Sequence, residues 1–218
     1  MEYDKVLKKS RLFDGIDERG INKLIKCLGA EYKEYEKNET VLLQGHALTK
    51  VGVVLSGSVI SVKTSVSGKS VIVSLIEAGS YIGILLAASL DRKSPVTLEA
   101  QEHLKVLFFS TDRILGVCDN SCPAHIRLLR NFLDATAEKA LELYDRIDCL
   151  TQPTVREKAL TYLSKAAAKQ ERRMFMIPLN RNELADYLNV DRSALSRELS
   201  HMKEDGLIDF FRNTFKLL

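Results

Sequence analysis

Between Pro123 and Leu150 the chain carries no glycine and no further proline, and its apolar residues recur every seven positions. Ile126, Leu133, Ala140 and Ile147 form one series, and Leu129, Thr136, Leu143 and Leu150 form a second, offset by three. Only an α-helix brings such positions to one face. A seam of about three and a half heptads is the pattern of two helices packed along their length, so 123–150 is expected to be a dimerisation helix. The alternative is a helix lying on its own domain's core.

The segments on either side have other periods. Residues 1 to about 30 place Leu7, Phe13, Ile16, Ile21, Leu24, Ile25 and Leu28 at roughly helical spacing, with Gly29 able to end the run. From Thr40 to Ser110 the period becomes two. Strands are expected at Thr40–Leu43, Lys50–Leu55, Ser58–Thr64, Val71–Ile76 and Lys105–Phe109, with Ser65–Lys69 as a hairpin loop. Short strands at this spacing predict a compact antiparallel roll or barrel. Thr151-Gln152-Pro153-Thr154 reads as a hinge.

The last segment is the most specific. An Ala/Leu-rich helix over 154–168 precedes a short strand, Met174–Ile177. Asn180 with Glu183 has the capping-box spacing, and Leu184, Ala185 and Leu188 form the inward face of the helix it starts. Asn189-Val190 is a turn, and Asp191 caps a second helix in which Leu195, Leu199 and Met202 face inward. Arg192, Ser193, Ser196, Arg197 and Ser200 occupy the opposite face, with small hydroxyls between two arginines and no bulky apolar group. Such a helix fits a DNA major groove. Gly206 ends it, and Leu207–Phe211 and Phe215–Leu218 read as two strands of a small wing joined through Arg212-Asn213-Thr214. A helical hairpin that contacts protein is the weaker reading.

Composition narrows the function further. The net charge is +3, and residues 151–218 hold 12 Lys and Arg against 9 Asp and Glu, which places an anionic partner at the C-terminal end. Val71–Leu90 is apolar enough to be tested as a membrane span, but Glu77 and the turn Ala78-Gly79-Ser80 break it, so no membrane association is expected. Glu2 and Asp4 argue against a signal peptide. With four cysteines (Cys27, Cys118, Cys122 and Cys149), a reducing, cytoplasmic setting is expected. No Ser/His/Asp order, Gly-rich phosphate loop or paired-carboxylate motif stands out, and an enzyme is not expected.

The stretch LNRNELADYLNVDRSALSRELSHMKEDGLI resembles the DNA-reading unit of the Crp/Fnr family of bacterial regulators. Val53–Val59 resembles the family's β-roll signature, and Ser80-Tyr81-Ile82-Gly83 the start of its ligand cassette. The resemblance covers essentially the whole chain. It implies an α+β fold: an N-terminal antiparallel β-roll (a jelly-roll-like double-stranded β-helix), a long dimerisation helix and a C-terminal winged helix-turn-helix. It also implies three domains: a cyclic-nucleotide-binding-like sensor over 1–122, the helix over 123–150 and a DNA-binding domain over 151–218. The implied function is a homodimeric transcription regulator on palindromic double-stranded DNA, touching RNA polymerase if it activates. A cyclic-nucleotide-binding regulatory module acting on a protein partner is the alternative.

The family's guanine-reading arginine falls on Arg197, and Arg192 falls where members often touch a base or phosphate. Ser193 stands where many members carry a glutamate, so the half-site is expected to differ there. Ser196 and Arg181 are the expected phosphate contacts.

Cyclic-nucleotide members place Glu and Arg in the cassette, whereas this chain has Gly83-Ile84-Leu85 and then Ser94. Cyclic AMP is therefore not expected, although Arg92 and Lys93 lie nearby. Gly83, Ile84, Leu85 and Thr136 remain the candidate effector positions. Cys118 and Cys122 offer a redox or metal alternative with a weak spacing signal, and no metal site is assigned. Ligand in the roll would shift the hinge near Pro153.

Overall fold

A computed structural model of the protein describes residues 4–65, 68, 70–116 and 122–218. The chain divides into two compact units, 1–139 and 140–218.

The first unit opens with α1 (Asp4–Leu7), a 3-10 turn at Arg11–Phe13 and α2 (Glu18–Cys27). The strands are β1 (Glu31–Tyr35), β2 (Thr40–Leu42), β3 (Lys50–Ser56), β4 (Ser58–Thr64), β5 (Ser70–Glu77), β6 (Tyr81–Ile82), β7 (Thr97–Ala100) and β8 (Leu104–Ser110). The short helix α3 (Ile84–Ala87) follows β6, and α4 (Thr111–Leu115) follows β8. The strands form two four-stranded antiparallel sheets, ordered β1-β8-β3-β6 and β2-β7-β4-β5.

Leu42, Val54, Val59, Ile82, Leu98, Leu104, Val106 and Phe108 meet between the sheets. On the other side of the first sheet, Val51, Val53, Leu55, Leu107 and Phe109 pack against the helices through Leu7, Phe13, Ile21, Leu24 and Leu128. The strands β3 and β8 are thus buried on both faces, which is why they read as continuous apolar runs instead of alternating. Gly52 is required there: a Cβ would sit 2.7 Å from the Phe108 ring and 2.8 Å from Val106.

The expected strands all form, and the apolar Val71–Leu90 stretch is β5, a turn, β6 and α3. No helix among the described residues is long and apolar enough to cross a membrane. Of the loop at Ser65–Lys69, Val66, Ser67 and Lys69 lie outside the described residues, as does Cys118. Cys27 is exposed, Cys122 half-buried and Cys149 buried.

The helix α5 (Pro123–Leu150) enters both units. Within the first, His125, Leu128, Phe132 and Ala135 are buried on one face, and Asn131 donates to the backbone oxygens of Leu12 and Asp14. The heptad stripe lies elsewhere on the helix. Ile126, Leu133, Leu143 and Ile147 are 42–60% exposed.

The second unit contains the end of α5, α6 (Val155–Gln170), β9 (Met174–Met176), α7 (Arg181–Leu188), α8 (Arg192–Glu204), β10 (Ile208–Phe211) and β11 (Thr214–Leu217). Cys149, Ala159, Leu163, Phe175, Leu184, Leu188, Leu195, Leu199, Met202 and Phe215 form its core. Arg146 donates to the Tyr187 carbonyl at 3.2 Å and lies over the Tyr187 ring. Lys165 bridges Asp145 and Asp148. These contacts hold the last turns of α5 against α6 and α7.

Candidate nucleic-acid interface

Two capped helices, α7 and α8, present the surface of interest. The Asn180 side chain accepts from the amides of Asn182 and Glu183 at 2.9 and 3.1 Å, and the Glu183 carboxylate accepts from the Asn180 amide at 2.7 Å. This closes the capping box that the spacing predicts. Asn189 ends α7 in the left-handed region at φ 50°, a conformation that Asn tolerates better than most residues. Asp191 then starts α8, accepting from the Ser193 amide at 2.8 Å, the Ala194 amide at 3.0 Å and the Ser193 hydroxyl at 2.5 Å.

The Ser193 hydroxyl and the two amides, with a smaller contribution from Arg197, hold the Asp191 carboxyl below its ordinary value of 3.8. A pKa depressed in the fold means that the cap's contribution is complete above pH 3.8 and is lost as pH falls through the lower folded value. Stability of the second unit is therefore expected to hold on this account from neutral pH to about 4 and to drop below it. Asp191→Asn is expected to shrink that acid-dependent loss in denaturant titrations at a series of pH values.

On α8, Leu195, Leu199 and Met202 are fully buried. Arg192, Ser193, Arg197 and Ser200 are exposed and Ser196 is half-buried. The Ser193 hydroxyl is turned onto Asp191 and the Ser200 hydroxyl donates to the Ser196 carbonyl at 3.2 Å. Arg192 and Arg197 thus stand among small hydroxyls, of which those of Ser193 and Ser200 are bonded locally.

Arg181 is placed differently. It is half-buried, its guanidinium lies 5.0 Å from the Phe210 ring centre and 5.2 Å from that of Phe215, and it donates to the Arg212 carbonyl at 3.4 Å. Burial pulls its pKa below the ordinary arginine value. The residue stacks on the wing, formed by β10, β11 and β9 in a three-stranded antiparallel sheet. At the turn of the wing, Arg212 has φ 53° and stands over the exposed Phe211 ring. In the sequence Arg212 is marked only as part of the turn Arg212-Asn213-Thr214.

Residues 32–121 match the family described as "Cyclic nucleotide-binding domain", and residues 157–218 match "Crp-like helix-turn-helix domain". The chain belongs to the Crp/Fnr family of transcriptional regulators. The transcriptional activator protein FnrA of Stutzerimonas stutzeri is 23% identical over 180 residues, covering 80% of this chain and 71% of that one. Among solved structures, the c-di-GMP-responsive global regulator CLP of Xanthomonas campestris superposes with a TM-score of 0.61 at 17% identity, over 92% of this chain and 99% of that one. The catabolite activator protein of Thermus thermophilus gives 0.54 at 21% identity, over 96% and 94%. This Crp/Fnr chain is a DNA-binding transcription regulator, and α7 and α8 are its helix-turn-helix.

The family's other expected ligand fits poorly. A cyclic nucleotide needs an acceptor for its ribose hydroxyl and a cationic fork for its phosphate. In this Crp/Fnr regulator Ile84 is 3% exposed within the helix-side core, and Leu85 packs against the same core. Gly83 has φ 80°, and a Cβ there would meet Leu48 at 2.4 Å. Ser94 is buried and donates to the Val96 carbonyl at 2.6 Å, while Thr136 donates to Phe132 of its own helix. The fork of Arg92 is engaged by Asp112 at 2.7 Å. The four candidate effector positions therefore offer no free polar side chain suited to a cyclic phosphate. Among the described residues, no group of three or more His, Cys, Asp or Glu side chains is placed to hold a metal ion.

Proposed function

We propose that this regulator acts as a homodimer through the 123–150 helix and reads an inverted repeat, with Arg197 at a guanine edge, Arg192 at a base or phosphate, Ser193 at the base position where the half-site differs, and Ser196 and Arg181 at the phosphates. The observation that carries the reading is the outer surface of α8. Two exposed arginines stand on it among small hydroxyls, opposite a fully buried Leu195, Leu199 and Met202. Two such helices would enter major grooves about 34–36 Å apart. Arg212 at the wing tip adds a further phosphate contact. Residues 1–122 are the sensor for a small molecule other than a cyclic nucleotide or for a redox signal, 151–218 are the DNA-binding domain, and an effector near Gly83 and Thr136 would act through Ile84 and Leu85, which pack in the helix-side core. The protein works in the cytoplasm, catalyses no reaction, and contacts RNA polymerase where it activates.

An effector would change the spacing of the two reading helices through the hinge near Pro153, and only by as much as its affinity differs between the two spacings. Selection from random DNA with the purified full chain tests the core of this reading. It is expected to return a palindrome with a guanine fixed in each half-site, and a set without sequence preference would overturn it.

Arg181 carries two roles in this scheme, and they separate by measurement. Arg181→Ala is expected to destabilise the second unit by about 0.5–2 kcal/mol through the lost stacking on Phe210 and Phe215. It is also expected to weaken all DNA sequences alike, reducing the salt slope by about one per bound protomer. Arg181→Lys is expected to keep the slope and lose part of the stability.

A further inference from the structure

Arg156 sits in the first turn of α6, between the capping pair Thr154 and Glu157. A cation there faces the positive end of the helix dipole, where acidic residues are the stabilising ones. Its placement has another cause. The Arg156 Nε donates to the Glu198 carboxylate at 2.5 Å, and its Nη1 pairs with Asp205 at 2.7 Å. Both partners belong to the recognition helix: Glu198 lies within α8 and Asp205 is its C-cap.

Glu198 and Asp205 are seven residues apart, about two turns and 10 Å along the axis, so one guanidinium grips one face of α8 at two points. At 100° per residue, Ser196 and Ser200 lie about 160° around the helix from Glu198. Arg197 itself lies about 100° around from Glu198, so the grip is on the flank of α8 beside Arg197, clear of the serine surface. Leu195, Leu199 and Met202 are fully buried and set which face of α8 turns inward; what a polar contact can add is fine control of the rotation about the helix axis. A forked, charge-assisted contact is directional and supplies that control.

We propose that Arg156 is a positioning residue for base reading, fixing the rotation of α8 through Glu198 and Asp205 so that Arg197 meets its base edge in register. Bidentate reading tolerates displacement of only about 0.5 Å, so a loosened helix forfeits discrimination before it forfeits general affinity. The proposal rests on the reading that α8 enters DNA.

The test uses the full chain as wild type, Arg156→Gln, Arg156→Lys, Glu198→Gln and the double variant Arg156→Gln/Glu198→Gln. For each, competition binding at fixed salt gives the ratio of affinities for the selected palindrome and for random-sequence DNA, alongside the salt slope and the melting temperature. Arg156→Gln is expected to lower the ratio five- to tenfold with the slope unchanged. Arg156→Lys, a point charge unable to span both carboxylates, is expected to recover part of it. The double variant is expected to fall little below the worse single one, since the two groups act as a unit. Ratios within twofold of wild type in folded Arg156→Gln would overturn the proposal. So would specific and random affinities that fall together with the melting temperature, or a slope reduced by about 0.9, which would make Arg156 a phosphate contact. If Arg156→Gln does not fold, Arg156→Lys and Glu198→Gln carry the same comparison. A wild type without sequence preference would instead sink the parent reading.

Discussion

Arg197→Ala is expected to lower affinity for the preferred palindrome at least about 30-fold while leaving random-sequence binding within a few-fold of wild type. A bidentate arginine–guanine contact is worth about 1–3 kcal/mol of discrimination, and a homodimer makes it twice, for a total of about 2–6 kcal/mol. The side chain is exposed on α8, away from the buried Leu195, Leu199 and Met202, so its removal leaves the core of the second unit untouched. Selection repeated with the variant should return a motif in which one position per half-site has become degenerate. Lysine in its place should restore general affinity more than discrimination, because an ammonium cannot present two parallel donors. An unchanged motif and unchanged affinity would remove α8 from the base-reading role.

The second large effect concerns the seam. Leu133→Glu combined with Ile147→Glu is expected to convert the proposed dimer to monomer and to weaken binding to the full palindrome by at least about 100-fold. Each half-site would then be bound alone, without the effective concentration that linkage supplies. Leu133 is 60% and Ile147 53% exposed in the single chain, while the buried face of the same helix is carried by Leu128, Phe132 and Ala135. The folded protomer should therefore lose little stability, and sedimentation should report a folded species of half the mass. Were the heptad stripe instead part of the chain's own core, the same substitutions would unfold it. Retained dimer mass would remove the seam from 123–150.

Much of this arrangement was legible in the residue order. The capping signals at Asn180 and Asp191, the inward triad Leu195, Leu199 and Met202, and the wing strands are local features. Short-range hydrogen bonds and helical periodicity decide them. The strands β1, β6 and β7 were not legible. The sequence of β1, Glu-Tyr-Lys-Glu-Tyr, has little apolar content and is extended because its backbone pairs with β8 from Glu31↔Phe108 to Tyr35↔Leu104. The two-residue β6 exists only through its pairing with β3, and β7 through pairing with β2 and β4. Edge and gap-filling strands of this kind are set by their neighbours, since β-propensity depends on context more than helix propensity does.

The same division runs through the site. That α8 begins at Asp191, buries one stripe and leaves Arg192 and Arg197 outside followed from the sequence alone, because cap chemistry and the 3.6-residue period need no partner segment. That Arg181 is spent on Phe210 and Phe215, that Arg92 is tied to Asp112, and that Arg156 reaches Glu198 and Asp205 was decided only by the tertiary structure. Each of those contacts joins groups 20 to 49 residues apart, and a long, flexible arginine has no preferred partner until the fold brings one within reach of its guanidinium.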